Sequence, residues 1–258
     1  MARSDWGYSM RLYQFRHSSH CEKVRLVLAA KGLAYSTVEV TPGLGQWDLF
    51  RQCGHRQVPV LQDGNTWVGD SSAIALHLEA IQPQPPLLPA DIGQRAQVFI
   101  LEDWADTTLA AAAQLALAQT AATDRRLRTA LLPDSTPLPF KTLAGAIPLG
   151  WLGGVNQLLE AKRPGLITAL EQLSALLRVQ PYLTGEKPTL ADISVAAQLY
   201  SLRFPTGAGL ALASSGVGGI ANRPDFDALF SWRDGLYRHL GIGTPSSPDR
   251  GTELIPLE

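Results

Sequence analysis

The sequence predicts an α/β domain followed by an all-helical domain, and three observations carry that expectation. Residues 10–82 alternate strand-like and helix-like segments. Residues 83–89 read PQPPLLP, and four prolines in seven residues exclude a regular helix and favour a stiff extended connection. Beyond that break the patterning is mostly helical. The expected organisation is an N-terminal domain over 10–82, a linker over 83–90, a helical domain over 91–240 and a tail over 241–258, with no internal repeat.

Each element has its own reason. Leu12–Phe15 is a short apolar strand candidate. Over Cys21–Lys31, Val24, Val27 and Leu28 recur at helical spacing, and Gly32 stops the run. Tyr35–Val40 is rich in β-branched and aromatic residues and reads as the second strand of a right-handed βαβ unit. Pro42 to Cys53 is expected to be irregular with a short helix. Val58–Leu61 and Thr66–Val68 flank Asp63-Gly64, a hairpin turn signal, and a helix follows from Ser71 to Ile81. In the second half, Asp91 caps a long helix with Gln94 three residues on. Alanines over 110–118 extend the helical pattern, and Leu166, Leu170, Leu173 and Leu177 form one apolar stripe. Ile193–Leu202 and Phe226–Leu240 are further helices. Ser135–Pro148 and Pro205–Pro224 are expected as loops, and the tail from Gly241 as loosely packed coil.

Composition excludes several classes. The 22 Lys plus Arg nearly balance the 23 Asp plus Glu, so no charge block points to a nucleic acid or an anionic membrane surface. No stretch reaches 18 clean apolar residues, and the first ten, MARSDWGYSM, hold no apolar signal core, so a cytoplasmic protein is expected. Two cysteines, Cys21 and Cys53, make neither a disulfide framework nor a zinc pattern, and no metal is expected.

Three stretches carry chemistry. In Ser18–Arg25, SSHCEKVR, Ser19 precedes Glu22 by three, a capping-box spacing. Ser18 then lies just before the cap, where its side chain can point at a ligand near the helix N-terminus. The N–H groups and dipole there favour an anion such as a thiolate, and the same effects are expected to lower the pKa of Cys21. Packing alone also accounts for the stretch. In Q57-V58-P59-V60-L61, a proline precedes a strand and cannot donate to its ladder. A cis Val58–Pro59 bond leaves the Val58 backbone open to an extended peptide ligand; a trans proline at an edge strand is the alternative. In D70-S71-S72-A73-I74, Asp70 and Ser71 suit a helix cap. They also suit the ammonium and carboxylate of one α-amino acid end.

Taken together these stretches resemble the glutathione transferase superfamily, in its serine or cysteine type and close to the bacterial soluble members. F15-R16-H17-S18-S19-H20-C21-E22-K23-V24-R25 is similar to the family's catalytic segment, Q57-V58-P59-V60-L61 to its cis-proline segment, and D70-S71-S72-A73-I74 to its γ-glutamyl motif. G185-E186-K187-P188-T189-L190-A191-D192-I193 resembles its buried capping motif, in which Thr189 caps and Asp192 answers. The resemblance covers about residues 10–240 and departs at Ser19, where many relatives have proline, and at Arg56, where many have glycine. It implies a thioredoxin-like first domain and a helical bundle. It implies Ser18 as the catalytic residue and Cys21 as a redox or accessory position. Arg56, Gln57, Val58, Pro59, Asp70 and Ser71 become the glutathione-binding residues, with no cofactor beyond glutathione as co-substrate.

The activity so implied is detoxifying transfer of glutathione to a small hydrophobic electrophile, by a homodimer without nucleic-acid or membrane partners. Two alternatives remain open at this stage. One is glutathione-dependent thiol–disulfide exchange or peroxidase chemistry with Cys21 engaged. The other is a non-catalytic binding protein on the same fold.

Overall fold

A computed structural model of the chain describes residues 10–41, 44–132, 153–205, 212, 215–242 and 252–254. It divides into two compact units, one comprising Met1–Pro85 with Thr244–Glu258, the other Pro86–Gly243. Among the described residues no helix is long and apolar enough to cross a membrane. The loop expected over Ser135–Pro148 lies outside the described residues.

The first unit is built on β1 (Met10–Gln14), α1 (Ser19–Ala30), β2 (Ser36–Glu39), α2 (Leu44–Cys53), β3 (Val60–Asp63), β4 (Thr66–Gly69) and α3 (Ser71–Ile81). β1 and β2 run parallel across the α1 crossover, while β3 returns antiparallel to β1. β3 and β4 close on the two-residue loop Gly64–Asn65, with Gly64 at φ 57°, the left-handed region in which glycine carries no Cβ penalty. Thus β1, α1, β2 and the hairpin form where the sequence predicts them.

The tail does not. Thr252–Leu254 forms a fifth strand, β5, parallel to β2, and the sheet order is β4-β3-β1-β2-β5. Three residues between prolines carry no periodicity strong enough to distinguish a strand from coil. The open edge of β2, with its unpaired N–H and C=O groups, selects the strand.

Register sets the site. Tyr13 pairs with Val60, and Val60 pairs with Gly69. The C-terminal end of β1, the start of β3 and the end of β4 therefore lie at one end of the sheet. The loop carrying Ser18, the Val58–Pro59 bond and Asp70 all emerge there.

The second unit contains α4 (Ile92–Trp104), a π-helical segment Ala105–Leu109, then α5 (Ala110–Thr123), α6 (Arg125–Ala130), α7 (Gly153–Leu176), α8 (Leu190–Leu202) and α9 (Asp227–His239). The Leu166, Leu170, Leu173 stripe of α7 enters a core with Leu109, Val195, Leu199, Phe226 and Phe230. α8 is buried along its whole length, which explains its predominantly small and apolar residues. Arg233 of α9 is fully buried, and its Nη1 donates to the carbonyls of Leu199 and Arg203 at the C-terminus of α8.

Candidate functional site

The N-terminus of α1 is arranged differently from the predicted capping box. Ser18, not Ser19, is the N-cap: its backbone is extended (φ −78°, ψ 127°) and its Oγ accepts from the Cys21 N–H at 3.4 Å. Ser19 is the first helical residue, and its Oγ is buried with no hydrogen-bond partner among the described residues. Glu22 does not reach back to the cap. Its carboxylate instead pairs with Arg25 one turn on, with Arg25 Nε donating to Oε2 at 2.7 Å. A strong partner at i+3 inside a buried helix face outcompetes the cap arm. The Ser19 and His20 N–H groups have no partner among the described residues. The helix start is therefore left open, with Ser18 at its rim, half-buried, its hydroxyl proton not consumed by the acceptor role it plays toward Cys21.

Cys21 corrects a second expectation. Its thiol is fully buried, and burial pushes its pKa up. The nearby Arg25 charge and the hydrogen bonds with Ser18 and Phe15 pull it down by less. Desolvation of the thiolate dominates the helix field at this position. Cys53 is half-buried and donates its S–H to the Leu49 carbonyl at 3.2 Å.

The Val58–Pro59 bond is cis. Among the described residues neither backbone polar group of Val58 has a hydrogen-bond partner, because the ladder begins only at Val60. The segment before it is pinned on both sides. His55 lies so close to Gly69 that a Cβ there would sit 2.4 Å from His55 Nδ1, so a larger residue at this position would force the imidazole to move. Arg56 is exposed, its guanidinium carbon 4.3 Å from the Phe50 ring centroid and 5.8 Å from that of Trp47, while Gln46 Nε2 donates to its carbonyl at 3.1 Å. Gln57 is exposed beside it.

Asp70 caps α3, its Oδ1 accepting from the Ser72 and Ala73 N–H groups at 3.0 Å each. Its φ of 70° makes it the one non-glycine residue with positive φ among the described residues. Such a backbone costs of order 1–3 kcal/mol and persists where the surroundings impose it, often at ligand-binding positions. Ser71 is buried beneath it. Lys23, fully buried on α1, donates from Nζ to Ser72 Oγ at 3.0 Å, tying the second turn of α1 to the first turn of α3.

Four residues escaped the sequence reading: Gln14, Lys23, Arg25 and Glu39. Arg25 and Gln14 are buried, and Arg25 donates to Glu22, to Gln14 and to the Arg16 carbonyl. Glu39 accepts from the Arg16 N–H at 2.6 Å; burial pushes its carboxyl up in pKa, against the hydrogen bonds and arginine charges that pull it down. A usable signal was present. Glu22, Lys23 and Arg25 set three charges within one turn of a helix that the βαβ arrangement packs against the sheet.

With this geometry in place, the family models settle the lineage. The glutathione S-transferase N-terminal domain matches residues 12–86, and the glutathione S-transferase C-terminal domain matches residues 156–235. The chain belongs to the glutathione S-transferase superfamily. Within the superfamily, Glutathione S-transferase Z1 of Arabidopsis thaliana is 40% identical over 90 residues, 34% of this chain and 41% of that protein. The chain thus matches only about two-fifths of the length of that relative. Glutathione S-transferase theta-3 of Mus musculus is 28% identical over 236 residues, covering 90% of this chain and 83% of its own length. Among solved structures, the beta-etherase LigF from a Sphingobium species superposes with TM-score 0.64 at 23% identity, covering 92% of this chain and 96% of that one, a likeness of fold.

Proposed function

We propose that this superfamily member activates the thiol of glutathione for attack on a small hydrophobic electrophile, with Ser18 as the stabilising group. The observation that supports it most is the open start of α1, where a serine hydroxyl stands beside unpaired helix N–H groups. A thiol of the cysteine kind has a pKa near 8.5 and is mostly neutral at pH 7. Lowering it by two units requires about 2.7 kcal/mol. A single hydrogen bond to a charged group supplies roughly 1.5–3 kcal/mol, and the helix field adds to it. Ser18 would donate to the sulfur anion without becoming a nucleophile.

The other contacts would hold the tripeptide along the same end of the sheet. The Val58 N–H and C=O would pair with its cysteinyl backbone as an added strand. Asp70 would meet the γ-glutamyl ammonium, and Ser71 its carboxylate. Arg56 and Gln57 would flank the glycyl end. Glutathione enters as co-substrate with no further cofactor, and the working unit would be a cytoplasmic homodimer in a detoxifying role.

Redox chemistry at Cys21 is disfavoured by that thiol's burial and raised pKa, which oppose the thiolate that exchange requires. Peroxidase or isomerase chemistry could use the same Ser18 site, and a non-catalytic binder would share its glutathione contacts without turnover.

The test is the ultraviolet thiolate absorbance of bound glutathione, titrated across pH in wild type and Ser18→Ala, beside a panel of small electrophiles against an enzyme-free control. A depressed thiol pKa that rises in the variant, with turnover on the panel, is expected. Binding without a depressed pKa would sink the transferase reading, and no binding at all would leave a glutathione-independent role for the fold.

A further inference from the structure

The loop that delivers Ser18 is four residues long, and a closed ring of hydrogen bonds holds both backbone polar groups of one of its residues, Arg16. The β1–β2 ladder ends where Gln14 pairs with Glu39. Two residues past the strand, the Arg16 N–H finds the Glu39 side chain instead of a β2 carbonyl, donating to Oε1 at 2.6 Å. The other carboxylate oxygen, Oε2, accepts from Gln14 Nε2 at 3.4 Å. Gln14 Oε1 accepts from Arg25 Nη1, and Arg25 Nη2 donates to the Arg16 carbonyl at 2.9 Å. The path returns to the residue where it began. Only one orientation of the Gln14 amide satisfies both a carboxylate and a guanidinium, so the ring has a single direction.

Several features mark this ring as more than loop packing. Gln14 and Arg25 are buried, 6% and 7% exposed, so their polar groups must be satisfied within the protein. Glu22 Oε2 pairs with both Nε and Nη2 of Arg25, which fixes the guanidinium so that Nη1 and the second N–H of Nη2 serve the ring, and this pairing also removes Glu22 from the cap of α1. The same interaction that opens the helix start thus anchors the clamp. Two residues beyond Arg16, Ser18 is fixed by its own N–H to the Phe15 carbonyl at 3.0 Å. A displacement of the Arg16 backbone would therefore carry the serine hydroxyl with it. A hydroxyl acting through one hydrogen bond tolerates little misplacement.

We propose that Glu39, Gln14 and Arg25 are positioning residues that clamp the backbone N–H and C=O of Arg16 and thereby aim the Ser18 hydroxyl at the glutathione sulfur. The inference rests on the proposed role of Ser18, and the experiment separates the two.

Wild type, Glu39→Ala, Glu39→Gln and Gln14→Met are compared as full chains. The readouts are the pKa of the bound glutathione thiol, kcat and KM with an electrophile from the panel, and backbone amide hydrogen exchange at Arg16 and His17. In Glu39→Ala the bound-thiol pKa rises by about one unit and kcat falls about tenfold, while KM for glutathione stays within about twofold. Glu39→Gln keeps an oxygen for the Arg16 N–H and recovers at least half of the loss. A merely structural role would lower thermal stability and leave the thiol pKa and kcat at wild-type values, and that result overturns the proposal. Should Glu39→Ala fail to fold, Gln14→Met breaks the relay without removing a charge and is judged by the same criteria. If wild-type protein itself does not depress the thiol pKa, the transferase reading fails. The clamp is then decided by exchange: faster at Arg16 in Glu39→Ala than in Glu39→Gln supports it, and wild-type rates in both overturn it.

Discussion

Helix α1 opens with S18-S19-H20-C21-E22, and helix α8 with T189-L190-A191-D192. In each a hydroxyl residue precedes a carboxylate by one turn. At α8 the pattern closes on itself. Asp192, fully buried, accepts from the Thr189 N–H at 2.8 Å, the Thr189 hydroxyl at 2.9 Å and the Leu183 N–H at 2.7 Å, completing a capping box. At α1 the carboxylate turns to Arg25, the cap shifts to Ser18, and its one cap bond is long at 3.4 Å. One helix start spends its polar groups on folding. The other leaves its first N–H groups without a partner among the described residues, as the proposed site requires. The difference shows that a neighbouring cation can withdraw one arm of a capping motif and leave the helix start open.

The comparison can be broken most severely at α8. Asp192→Ala leaves two buried N–H donors without acceptors, and a loss of about 3–5 kcal/mol is expected in urea unfolding. Ser18→Ala removes a marginal cap and should cost only about 0.5 kcal/mol of stability, yet raise the bound-thiol pKa by about one to two units with a matching loss of turnover. If the two substitutions cost similar stability, the contrast between the helix starts fails.

At the third helix start, Asp70→Asn keeps an oxygen for the Ser72 and Ala73 N–H groups but removes the charge. KM for glutathione should rise about tenfold, with kcat less affected. An unchanged KM would remove Asp70 from the binding set.

The smallest effect concerns Cys21, whose folded thiol pKa lies above its unfolded value. The folded state then keeps the proton that the unfolded state releases. The associated stability is complete below about pH 8.5 and is lost as pH rises through the folded pKa. A Cys21→Ala chain should show a shallower alkaline loss of stability in melting curves above that pH. It should also retain turnover within about twofold at pH 7, since a chemical role for the thiol would show as a larger drop.

Much of this was legible in order along the chain. The βαβ unit, the hairpin at Gly64, the leucine stripe of α7 and the Thr189–Asp192 box follow from periodicity, turn chemistry and local spacing, which act over a few residues. The residue types at Ser18, Val58, Pro59, Asp70 and Ser71 were visible for the same reason. Tertiary structure decided what depends on residues distant in sequence: that Arg25 takes Glu22 from the cap, and that burial outweighs the helix field at Cys21. It also decided that three residues of the tail complete the sheet, and that Glu39, twenty-three positions on, grips the Arg16 peptide. Local propensity ranks the partners a residue can reach alone; competition among buried charges is settled only once the fold has chosen which of them share the same dry space.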